Sequence, residues 1–95
     1  MPRLTDSEIS ERIDSVPGWE IGEENGMNQL TKSFEFGDFA AALEFTNKVG
    51  ALAEKEDHHP RIATEWGRVA VSFWSHDHGG VVKNDFKMAG LVNEL

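Results

Sequence analysis

Residues 30–60 read LTKSFEFGDFAAALEFTNKVGALAEKEDHHP, and the hydrophobic period changes partway along them. Leu30, Phe34 and Phe36 share one side of an alternating run, the pattern of a half-buried strand. Lys32 falls on that same side and breaks the pattern. Asp38 then stands where a helix N-cap belongs. After it, Phe39, Ala42, Leu43, Thr46, Val49, Gly50 and Ala53 recur at helical spacing, predicting the inner stripe of a long helix. Ala40-Ala41-Ala42 adds helix propensity. The run must end near Asp57-His58-His59-Pro60, because the residue before a proline avoids α conformation.

Working outward, Thr5-Asp6-Ser7-Glu8 has capping-box spacing and opens a short acidic helix carrying Ile9, Ile13 and Val16. Pro17-Gly18 closes it. Trp19 to Ile21 predicts a strand that pairs with Leu30 to Phe36 across the turn at Glu24-Asn25-Gly26. Downstream, Val69, Val71 and Phe73 alternate with Arg68, Ala70 and Ser72 as another strand. Gly79-Gly80 turns the chain, and Phe86, Ala89 and Val92 predict a final helix. Trp66 and Trp74 read as packing groups. The resulting order, α-β-β-α-β-α, predicts an α+β sandwich with helices over one face of an antiparallel sheet.

The chain of 95 residues has the size of one domain, 1–95, with a thin core that favours association. Seventeen acids against nine bases give a net charge of −8. That balance argues against nucleic acid and anionic membrane surfaces as partners, since both need clustered Lys and Arg. The absence of cysteine removes disulfides, thiolate metal sites and cysteine nucleophiles. No apolar stretch is long enough to span a bilayer, and the N-terminus has no secretory apolar region. A soluble, cytoplasmic domain is expected.

All four histidines lie between positions 58 and 78. Imidazole titrates near neutrality and so suits proton transfer. His58 and His59 are adjacent at a helix end, so their rings diverge. His76 and His78 can share a face if the strand continues, although Gly79-Gly80 makes His78 peripheral. Asp57, Asp77 and Asp85 are available to orient or charge-stabilise the rings. Glu54, Glu56 and Asp57 also read simply as a solvated helix end. Zinc is the main rival, but His-Glu-x-x-His is absent and neighbouring histidines rarely share one ion, so no metal is expected. Nucleophile-elbow and phosphate-loop motifs are missing as well.

The run Glu54-Lys55-Glu56-Asp57-His58-His59-Pro60, the aromatic Trp66, Val69-Ala70-Val71 and Ser75-His76-Asp77-x-Gly79-Gly80-x-x-x-x-Asp85 resembles the pterin-4a-carbinolamine dehydratases. The resemblance covers nearly the whole chain. It implies a four-stranded antiparallel sheet with three helices packed on one face, homodimers that join their sheets, and in some members homotetramers formed through the long helix, with the small-residue segment Phe39 to Ala53 as the tetramer contact. It implies a hydro-lyase that dehydrates 4a-hydroxytetrahydropterin to quinonoid dihydropterin, recycling the cofactor of aromatic amino acid hydroxylases, with no cofactor or metal of its own. By matching positions, His58, His59 and His76 carry the catalysis, with His58 and His76 as the acid–base pair. Asp57, Pro60, Ser75 and Asp77 then line the pterin pocket, and Glu54 and Asp85 orient the histidines or lock the turn. Val82 stands where many members place a hydroxyl residue, which removes an N-cap; Asn84 is the substitute one turn later. Relatives of this fold also serve as protein-binding partners, so a non-catalytic assembly or transcription-cofactor role is the alternative.

Overall fold

In the computed structural model, which describes residues 2–95, the first helix α1 (Asp6–Arg12) opens on the expected reciprocal cap. The Thr5 hydroxyl accepts the Glu8 N–H at 3.2 Å, and the Glu8 carboxylate accepts the Thr5 N–H at 2.9 Å. The Thr5 backbone N–H, then its side chain, holds the Glu8 carboxyl below its ordinary value. The charged cap therefore contributes fully above pH 4.5 and fades as pH falls through the lower folded value. The helix tightens into a 3-10 turn over Ile13–Ser15 and delivers Val16 and Trp19 to the interior.

Four strands follow: β1 (Glu20–Glu24), β2 (Met27–Glu35), β3 (Arg61–Glu65) and β4 (Arg68–Phe73), arranged β1-β2-β4-β3 with every pair antiparallel. The helix α2 (Phe39–Glu56) connects β2 to β3, and α3 (Lys83–Asn93) closes the chain. Leu30 pairs with Phe73, Lys32 with Val71, and Phe34 with Val69, so these share the helix-facing side of the sheet. Leu30, Val69, Val71 and Phe73 have no exposed surface and pack with Ala42 and Val49 of α2 and Ala89 and Val92 of α3. The other face carries small and polar side chains, with Thr31 and Ser72 hydroxyls bonded across strands at 2.9 Å.

Periodicity alone missed β3, which the resemblance had implied. Its burial does alternate, but Ile62 is the one large aliphatic residue in Arg61–Glu65, so the apolar signal is faint. The stripe of α2 also needs correction. Phe39 and Leu43 are each 44% exposed, whereas Phe45 and Leu52 turn inward beside the buried Ala42, Val49 and Ala53. The cause is aromatic packing: Phe45 lies 4.6 Å from the Phe34 ring and 5.2 Å from Phe36, which rotates that edge of the helix onto the sheet. Trp66 is not a packing group either, being 71% exposed at the tip of the β3–β4 hairpin.

Lys32 keeps its inward position by reaching the end of the core. Its ammonium donates to the Pro17 carbonyl at 3.1 Å and to Asn93 Oδ1 at 2.9 Å, and lies 4.8 Å from the Phe34 ring centre. Gly18, at φ +86°, leaves room for this path; a Cβ there would lie 2.7 Å from Lys32 Cε.

Candidate active site

The site begins where α2 stops. Asp57 adopts the left-handed conformation (φ 51°, ψ 45°), and the His58 N–H reaches back to the Ala53 carbonyl at 3.1 Å while the Asp57 N–H meets Glu54 at 3.4 Å. This is a Schellman ending made without glycine. It sends consecutive side chains apart: the His58 side chain is 21% exposed, and that of His59 is 55% exposed.

His58 turns inward against Phe73, ring centres 6.0 Å apart, and places Nε2 2.5 Å from Asp85 Oδ1. Asp85 has no exposed surface. Its second oxygen accepts the Val82 N–H at 2.8 Å and the Ser75 hydroxyl at 3.5 Å. One carboxylate thus closes the start of α3 and holds the histidine. Val82 offers no side-chain acceptor, as the sequence implied, so only the reach-back half of a capping box exists. Asp85, not Asn84, supplies it. With Asp85 as a carboxylate, which can only accept, the bond is donated by His58 Nε2, and in that tautomer Nδ1 is the ring's acceptor nitrogen.

The loop after β4 is pinned from two sides. Ser75 and Gly80 exchange backbone bonds at 2.9 and 3.3 Å around a 3-10 turn, His76–His78. Asn28 of β2 accepts the Val81 N–H at 2.9 Å, and a Cβ on Gly80 would lie 2.2 Å from that same oxygen. Asn28 was not singled out in the sequence, where an isolated strand asparagine gives no signal of a loop anchored 53 residues away.

Two clefts result. The first, about 330 Å³, is lined by His58, Ser75, His76 and Asp77, and also by His78, Val82 and Asn84. The second, about 310 Å³, is lined by His59, Pro60, Arg61, Trp74 and His76. His76 therefore borders both. The wall places His78 at the first cleft rather than at the periphery, because the 3-10 turn carries the chain on past the strand end. Glu54 pairs with His59 and lines neither cleft. Asp57 also lines neither; what it does here is turn the backbone. Among the described residues, no three His, Asp or Glu side chains converge as a metal-binding group.

The family described as Pterin 4 alpha carbinolamine dehydratase matches residues 2–95. The chain belongs to that family. A protein of Nitrosococcus oceani named "Putative pterin-4-alpha-carbinolamine dehydratase" is 52% identical over 94 residues, which are 99% of this chain and 83% of the relative. One of the same name from Chlorobium limicola is 52% identical over 92 residues, 97% and 81% of the two chains. Among solved structures, a "transcriptional coactivator/pterin dehydratase" from Brucella melitensis superposes with a TM-score of 0.84 at 38% identity, covering 97% of this chain and 96% of that one. A pterin dehydratase-like protein described as a RuBisCO assembly factor in the alpha-carboxysome shares the fold, with a TM-score of 0.66 at 23% identity over 81% and 87% of the chains. Membership in the pterin-4a-carbinolamine dehydratase family bears out the resemblance, the hydro-lyase class and the arrangement of four antiparallel strands with three helices.

Proposed function

We propose that the cleft between His58 and His76 dehydrates a 4a-hydroxytetrahydropterin to the quinonoid dihydropterin, returning the cofactor of aromatic amino acid hydroxylases to its cycle. The observation that carries this reading is the buried Asp85 carboxylate bonded to His58 Nε2, with a second histidine, His76, lining the same cleft. Nδ1 of His58 takes the N5 proton. The N–H electron pair becomes the new C4a=N5 bond, the C4a–O bond breaks, and His76 protonates the departing hydroxyl as water. Atoms and electrons balance without a redox partner. A positioned base and acid each contribute about 10²–10⁴-fold.

In this reading Ser75 and Asp77 hydrogen-bond the polar edge of the pterin. His59 and Pro60 approach from the second cleft, with Glu54 steadying the His59 ring. The deciding measurement is stopped-flow dehydration of chemically generated 4a-hydroxytetrahydropterin. Purified protein in catalytic amount is expected to speed the reaction above the buffer rate, and equal rates overturn the proposal.

Self-association belongs to the same proposal. Phe39 and Leu43 are exposed on α2, and a 95-residue core gains from further burial. Light scattering coupled to size exclusion is expected to give the mass of two or four protomers; a monomer at every accessible concentration refutes this part. The competing role, a protein-binding module, draws on the coactivator wording of the Brucella melitensis structure. An associating protein that leaves the pterin at the buffer rate favours it.

A further inference from the structure

The widest cleft among those described shares no lining residue with the histidine clefts. It is an open groove of about 620 Å³, against about 330 Å³ for the His58–His76 cleft, and lies between β2, α2 and the end of α3. Phe34, Phe36 and Phe45 form one wall, the Phe45 ring meeting each of the other two. Lys32 stands on the same lining.

The lysine is the unusual element. Its ammonium is held by two neutral oxygens, the Pro17 carbonyl and Asn93 Oδ1, and among the described residues no carboxylate lies within ion-pairing distance of it. An ammonium has three donors, so one remains unspent. Lys32 is thus a half-buried cation with only neutral protein partners, in a protein of net charge −8. Asn93 Oδ1 also accepts the Trp19 indole N–H at 2.9 Å, and Asn93 Nδ2 donates to Pro17 at 3.2 Å, so the oxygens around the ammonium are rigidly placed.

We propose that this cleft is a second ligand site, for a small aromatic monocarboxylate whose carboxylate meets Lys32 while its ring lies on Phe34, Phe36 and Phe45. One cation with one free donor suits one negative charge. Glu35 and Glu94 also line the cleft and repel a phosphate dianion about twice as strongly as a single carboxylate. The volume falls within the range of small-molecule pockets, about 300–1,000 Å³, and the wall is the aromatic surface such pockets use. The assignment is independent of the dehydration reading.

The test is a ¹H–¹⁵N NMR titration of the whole protein with 3-phenylpropanoate and, separately, with its neutral amide. The acid is expected to shift the amides of Phe34, Phe36, Phe45 and Asn93, and to bind at least tenfold more tightly than the amide. Lys32→Met, which keeps the methylene stem, is expected to abolish that preference while pterin dehydration stays at the wild-type rate. The acid–amide comparison needs no variant, so it stands even where Lys32→Met does not fold. No binding of the acid, equal binding of acid and amide, or shifts confined to the histidine clefts overturns the proposal.

Discussion

Asp85→Ala is expected to lose stability and turnover together. The change strips the partner from His58 Nε2, the Val82 N–H and the Ser75 hydroxyl, and removes a carboxylate that itself has no exposed surface. Leaving such groups unpaired costs about 2–4 kcal/mol, and for a domain of this size that lowers the melting temperature by about 10–20 °C. The rate falls by about 10²-fold, because His58 loses the bond that selects its tautomer. Asp85→Asn separates the two effects. The amide oxygen keeps the Val82 N–H, which can only donate, and the NH₂ then faces His58 Nε2, which must switch tautomer to accept it, so part of the stability returns and the rate does not. Thermal melts alongside stopped-flow rates check this. Full activity in the asparagine variant removes Asp85 from the positioning of His58.

His58→Gln and His76→Ala are each expected to slow dehydration by about 10²–10³-fold. Glutamine can still donate to Asp85, so the first variant tests the missing basic nitrogen rather than an abandoned buried carboxylate. His76 is exposed, and its removal leaves the stability within about 0.5 kcal/mol of the wild type. The double variant is expected to be little slower than either single one, since an acid and a base acting in one step fail as a unit. A rate unchanged by His76→Ala assigns the protonation of the hydroxyl elsewhere.

Much of this architecture is local and therefore legible. The Thr5 cap, the Asp38 cap and the alternation in β2 and β4 are decided by neighbours in sequence, and all are present. The departures in α2 and at Lys32 have one origin, contacts between distant elements, whereas the β3 signal is faint because Ile62 is its one large aliphatic residue. Phe45, not Phe39 or Leu43, faces the sheet because of where Phe34 and Phe36 stand. Lys32 looks like an error in an apolar face until Pro17 and Asn93 come beside it from other elements. At the site, the divergence of His58 and His59 follows from adjacency at a helix end. The pairing of His58 with Asp85, 27 residues on, and the position of His76 between two clefts do not.

The ending of α2 also bears on how this chain can change over time. At the β1–β2 hairpin the tip, Asn25-Gly26, is exposed, so added residues there displace nothing buried. Between α2 and β3 the count is rigid. Asp57 reverses the backbone, and the next two residues take opposite headings, one toward Asp85 and one toward Glu54. A single insertion or deletion at that point would not lengthen a loop; it would hand the buried carboxylate the wrong neighbour. Drift in length is thus open to the hairpin and closed to the four-residue passage from Asp57 to Pro60.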